Sequence, residues 1–251
     1  MNRIDHPSLS MDMDRLIHDF SLCHGCGLCG EVCPRGAITV DSVREPSGGL
    51  GKHPHLDESA CIHCGRCGSV CASGAIGQEK FTELVEQMQA GNEDHLVFFC
   101  RALNLAQPSI LESGEFGLNT PLVNVRKVPQ LSRVALPDGV KLVDVRCTGR
   151  IGARTLLSLL LAGVKGVLIF ACPPHDCEYG RDTCLAALHV DGLRSLLKAY
   201  GMGDSRVEIL FEQPASPAEV EAVIERFRQG RLKVTGQALR KDSSNNRVSG
   251  F

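Results

Sequence analysis

The run "CHGCGLCGEVCP", residues 23–34, places four cysteines at spacings of two, two and three residues and closes on proline. Thirty-eight residues later the same spacing returns as "CIHCGRCGSVCA". The 20-residue windows that begin at Ser21 and Ser59 are identical at 11 positions, including all four cysteines and the trailing Gly-Ala-Ile. Self-similarity at a fixed offset marks an internal duplication. Eight thiols in two short runs must be either cross-linked or bound to metal. The chain has 13 cysteines, an odd number, eight of them in these clusters, and no basic start leads into an apolar secretory run. Metal ligation accounts for them better than disulfides do.

Three thiolates at successive spacings of two can wrap one face of a compact [4Fe–4S] cube, with backbone N–H groups turned toward its sulfides. In the two-cluster arrangement built on this spacing, the fourth thiolate comes from the other repeat. That logic assigns Cys23, Cys26, Cys29 and Cys71 to one cluster, and Cys61, Cys64, Cys67 and Cys33 to the other. Structural zinc normally takes two well-separated C-x2-C knuckles and fits the pattern less well. Residues 21–78 resemble the bacterial two-cluster ferredoxin module, which implies an α+β ferredoxin-like domain. Ala72 stands where the first repeat has Pro34, a departure that bears on loop rigidity more than on ligation. His24, His53, His55 and His63 read as solvated loop residues, since thiolates already fill both sites. Arg35 and Arg66 either raise a cluster's potential or simply keep the surface soluble.

The rest of the chain has a different rhythm. Phe81, Leu84, Val85 and Met88 fall at helical spacing, so "KFTELVEQMQ" predicts an amphipathic helix ended by Gly91-Asn92. Four short apolar runs follow, "HLVFFC" (95–100), "KLVDVRC" (141–147), "GVLIFAC" (166–172) and "RVEILF" (206–211), and all read as strands. Between them "ARTLLSLLLAG" and the Leu193, Leu196, Leu197, Tyr200 pattern predict helices ended by Gly163 and Gly201. Ser216-Pro217-Ala218-Glu219 announces a last helix, with a serine N-cap and proline at the first helical position. Strands alternating with helices imply right-handed βαβ units and a three-layer α/β domain with a mostly parallel sheet. The predicted organisation is an N-terminal extension (1–20, with one short helix around "MDRLIHDF"), a ferredoxin domain (21–79), a linker helix (80–94), the α/β domain (95–236, with an insertion at 101–140 that holds one extended piece, "PLVNVRKV") and a flexible tail (237–251).

Three of the four strands end in cysteine. With "KLVDVRC" and "GVLIFAC" as adjacent parallel strands, Cys147 and Cys172 emerge about 5 Å apart at the edge where open α/β sheets place their sites. Cys100 ends the first strand in the same way, and Cys177 follows within "CPPHDC". Four converging thiols suit a [2Fe–2S] cluster, while packing as small apolar residues is the plainer reading. "CTGRIGAR" starts a helix whose first amides would face an anionic cluster, with Arg146, Arg150 or Arg154 offsetting its charge. Cys184 lies on a predicted helix and reads as core. At "VFFC", "VRCTGR" and "GVLIFACPPHDCEY", over roughly residues 95–200, the chain is similar to the delta subunit of methyl-viologen-reducing hydrogenase, a family also found fused to heterodisulfide reductase flavin subunits.

That resemblance implies a [2Fe–2S] cluster on Cys100, Cys147, Cys172 and Cys177. It also implies a relay between a hydrogenase or formate dehydrogenase and a flavin-containing heterodisulfide reductase-type subunit. Leu103 replaces the family's usual second cysteine, the insertion at 101–140 is long, and Glu178 replaces a common histidine.

A net charge of −2 gives no basic footprint for nucleic acid, and "TLLSLLLAGV" is too short to span a bilayer, so a cytoplasmic protein is expected. No nucleophile triad, Walker loop or full dinucleotide fingerprint occurs, which points to non-catalytic electron transfer. His175-Asp176 serve to orient their loop in this reading. The alternatives are a reductase that uses the strand-end cysteines as thiols or as an open cluster, and a flavin- or nucleotide-binding module.

Overall fold

The computed structural model of the protein describes residues 9–11, 16–44, 50–100, 134–173, 177, 182–211, 214 and 216–232. The chain opens with β1 (Leu9–Met11) and β2 (Leu16–His18), followed by a 3-10 turn at Phe20–Leu22. The helix expected around residues 13–20 is therefore replaced, over its described part, by strand and 3-10 turn. Pairing with a distant segment outweighs a weak local helical pattern.

The duplicated region builds α1 (Leu28–Glu31), β3 (Ile38–Arg44), β4 (Leu50–Leu56), α2 (Arg66–Ser69) and β5 (Ile76–Gln78). Its two halves embrace crosswise. The strand leading into the first repeat, β2, pairs antiparallel with β5, which leaves the second. The strand leaving the first repeat, β3, pairs antiparallel with β4, which leads into the second. Reciprocal bonds mark the same exchange: Asp19 N–H donates to the Ala75 carbonyl at 2.7 Å, and Asp57 N–H to the Ala37 carbonyl at 2.8 Å. Each short helix follows a glycine in the left-handed region, Gly27 (φ 82°) and Gly65 (φ 77°), where a side chain would strain the backbone. The described core here is small: Ile38, Cys67 and Ile76, with Leu56, Cys29 and Cys71 packed on it.

Beyond it come α3 (Glu79–Ala90), β6 (His95–Cys100), β7 (Val140–Val145), a 3-10 turn (Thr148–Arg150) and α4 (Ala153–Leu161). Then follow β8 (Gly166–Phe170), α5 (Asp182–Ala199), β9 (Val207–Leu210) and α6 (Pro217–Arg228). The four expected strands form an all-parallel sheet, and β1 from the N-terminal extension adds a fifth, in the order β1-β7-β6-β8-β9. Central β6 is buried on both faces, which is why "HLVFFC" is nearly continuous in apolar residues. Leu96 and Phe98 face one layer with α3, α4 and α5; Val97 and Phe99 face the other with α6. Helix α3 packs on the sheet: Phe81, Leu84 and Met88 are buried in the same cluster as Leu156 and Leu193.

The last helix starts as its sequence announces, with the Ser216 hydroxyl accepting the Glu219 N–H at 3.3 Å. The extended piece "PLVNVRKV" and the tail from 237 lie outside the described residues.

Candidate metal centres

The crosswise fold of the repeats has a direct chemical consequence. One cavity of about 210 Å³ is lined by Cys23, Cys26 and Cys29 of the first repeat together with Cys71 of the second, within a wall that includes Val40, Pro54 and Ile76. The mostly apolar wall, which also includes His24 and Ser73, suits a compact anionic cluster held by thiolates. Burial pushes the Cys29 thiol up, with Cys26 and Cys23 adding to the effect. Cys71 is held below the usual thiol range: burial raises it, but the Ile76 N–H and the Ser73 hydroxyl outweigh that. Its Sγ accepts the Ile76 N–H at 3.3 Å.

The second set has matching features. Cys33 Sγ accepts the Ala37 N–H at 3.2 Å, the counterpart of the bond at Cys71, and Cys61 Sγ accepts the His63 N–H at 3.4 Å. Cys64 and Cys67 are buried. Burial, reinforced first by Cys64 and less by Cys61 and Cys29, pushes the Cys67 thiol up to about 12. Metal binding to thiols releases their protons.

At the sheet's C-terminal edge the structure corrects one expectation. β7 and β8 are not neighbours, because β6 lies between them. The pair that meets is Cys100 and Cys172, with Sγ atoms 3.8 Å apart and both residues buried. A hydrogen bond shared with Cys100, then one with Cys177, drives the Cys172 thiol strongly upward, so three sulfurs converge. Cys147 lies on the other flank of β6, and its Sγ caps the following 3-10 turn by accepting the Gly149 N–H at 3.3 Å. The side chain of Cys184, and His175, Asp176, Glu178 and Leu103 altogether, lie outside what is described.

Comparison with known proteins matches these two regions separately. Residues 22–75 match the 4Fe-4S dicluster domain family, and residues 126–233 match the family "Methyl-viologen-reducing hydrogenase, delta subunit". The chain thus matches a 4Fe-4S dicluster domain in its first part and a hydrogenase delta-subunit domain in its second, the latter hereafter called the delta-type domain. The second match begins after Cys100, so β6 and its thiol stand outside it. Among the relatives is the iron-sulfur D subunit of the vhu F420-non-reducing hydrogenase of Methanopyrus kandleri, 28% identical over 97 residues, which are 39% of this chain and 74% of that one. Another is the A subunit of ferredoxin:CoB-CoM heterodisulfide reductase of Methanosarcina mazei, 26% identical over 97 residues, only 12% of that protein. A third, the iron-sulfur D subunit of F420-non-reducing hydrogenase of Archaeoglobus profundus, is 31% identical over 77 residues, 31% of this chain and 56% of that one.

The arginines singled out near the strand ends reach toward the dicluster domain and α3. Arg146 donates from Nη1 to the Ile62 carbonyl at 3.2 Å. Arg150, fully buried, stands over the Phe81 ring with its guanidinium carbon 5.9 Å from the centroid. Arg154 lies against Gly74 so closely that a Cβ there would overlap its guanidinium. Sequence reasoning saw the positive charges but missed their destination. The regular spacing of 146, 150 and 154, which straddles a turn and the start of a helix, was the available signal. Of the other polar residues singled out by sequence, His24 and Arg35 are exposed, as their solvated readings expect, while Arg66, His53 and His63 are half-buried.

Proposed function

We propose that the chain is an iron–sulfur electron-transfer subunit whose dicluster domain holds two [4Fe–4S] clusters, on Cys23/Cys26/Cys29/Cys71 and on Cys61/Cys64/Cys67/Cys33. The observation that carries this reading is the cavity that gathers three cysteines of one repeat with Cys71 of the other. Bound clusters supply one-electron transfer, which needs neither a substrate pocket nor a proton donor. The chain's own part is to fix the sulfurs, to donate backbone N–H groups to Cys33, Cys61 and Cys71, and to keep water from Cys64 and Cys67. Such N–H···S bonds stabilise the more negative, reduced state and so raise the potential.

At the sheet's C-terminal edge, Cys100, Cys172 and Cys177 with Cys147 form a [2Fe–2S] site in this proposal, supported by the 3.8 Å approach of Cys100 and Cys172. The partners are an electron-exchanging enzyme such as a hydrogenase or formate dehydrogenase, and a flavin-containing heterodisulfide reductase-type subunit. Relatives that are subunits of a hydrogenase and of a heterodisulfide reductase support this reading. The proposed location is the cytoplasm, and no described helix is long and apolar enough to cross a membrane.

Anaerobic iron and acid-labile sulfide analysis with EPR tests all three sites. The expected count is about ten irons, four, four and two, with Cys147→Ser and Cys172→Ser selectively losing the binuclear signal. About eight irons without that signal would remove the third centre and leave the strand-end cysteines as packed thiols.

A further inference from the structure

One residue touches both sulfur-rich regions. The backbone carbonyl of Arg146 accepts the Cys100 thiol at 3.8 Å, while its guanidinium donates to the Ile62 carbonyl at 3.2 Å. Ile62 lies between Cys61 and Cys64, in the run that carries three of the four sulfurs assigned to the second cluster. The backbones close in around this link. Helix α2, just after Cys64, packs on the Thr148–Arg150 turn, and a Cβ on Gly152 would stand 2.5 Å from the Ser69 carbonyl oxygen. The first cluster's loop has a different setting: Cys26 and Leu28 are exposed, whereas Cys64 and Cys67 are buried.

We infer that Arg146 is the positioning residue that couples the second cluster to the strand-end thiols. That cluster then exchanges electrons with the delta-type domain, and the cluster on Cys23, Cys26, Cys29 and Cys71 faces outward. The inference rests on the two-cluster reading above. Its physical basis is that Arg146 directly precedes Cys147 in the chain and its guanidinium holds the Ile62 carbonyl at 3.2 Å, which ties the 61–64 loop to the segment that carries a strand-end thiol. A guanidinium is permanently charged and directional, and its charge beside an anionic cluster favours the reduced state.

The test is an EPR-monitored redox titration of the anaerobically purified full chain, as wild type, R146Q, R146K and R154Q. R146Q is expected to move one [4Fe–4S] signal to lower potential and leave the other in place, and R146K to keep it near the wild-type value. The signal that moves is the one lost in Cys64→Ser and kept in Cys26→Ser. R154Q removes an equal charge from the same interface, over the Gly74 turn, and leaves that signal unmoved. Should R146Q fail to fold, R146M removes the charge while retaining the packing stem, and it is read in the same way. With about eight irons or more, both signals unmoved in R146Q, or an equal shift in R154Q, overturns the inference alone. A wild-type count well below eight overturns the two-cluster reading and the inference with it.

Discussion

Gly152 illustrates how single positions hold the two domains together. A Cβ there would lie 2.5 Å from the Ser69 carbonyl oxygen and 2.9 Å from its Cα, both backbone atoms that cannot swing aside. Gly152→Ala is expected to cost about 1–3 kcal/mol, as overpacking does, and to lower the melting temperature of the intact protein. Asp94 acts at the sheet's N-terminal edge. Lys165 at 2.8 Å and then His95 at 2.7 Å hold its carboxyl down at about 2. The folded value lies below the unfolded one, so the stabilisation is complete above about pH 4 and is lost as the pH falls through about 2. The side chain is 32% exposed, which limits the contribution to about 1 kcal/mol. The melting difference between wild type and Asp94→Asn should therefore hold steady from pH 8 to 5 and shrink below 4, followed by circular dichroism.

At the scale of elements, α3 is the informative case. Its apolar stripe is plain in the sequence, but a stripe alone does not say which neighbour covers it. The structure packs it on the sheet beside α4 and α5, with Leu84 fully buried and Phe81 edge-on to Phe98 at 5.8 Å. Leu84→Ala is expected to cost about 2–5 kcal/mol in chemical denaturation, a loss a mere tether would not show. β1 makes the same point from the opposite side. "LSM" is too short to announce a strand, and it is one because β7 offers an open edge at Val143–Val145. Strand order was equally hidden: β7 and β8 read alike, and only the path of the chain puts β6 between them.

For the whole molecule, the two domains draw stability from different sources. The sheet is sandwiched between two broad apolar layers, whereas the described core of the dicluster domain is a few residues, half of them cysteines. Where so little apolar surface is buried, bound metal supplies folding free energy. Stripping iron with a chelator under oxidising conditions should release amide-exchange protection across residues 23–71 while leaving β6, β8 and α4 protected. Hydrogen exchange by mass spectrometry would show both.

The sequence by itself determined the iron–sulfur character: eight cysteines at fixed spacing, in two runs of one pattern. It also determined the βαβ rhythm, because both follow from local spacing, and local spacing is what a chain prints directly. The tertiary structure alone decided which strand lies between Cys147 and Cys172, which layer α3 joins, and where Arg146 reaches. Those depend on contacts between residues far apart in the chain, and no local pattern encodes them: Ile62 meets Arg146 only because two folded domains press their backbones together at Ser69 and Gly152.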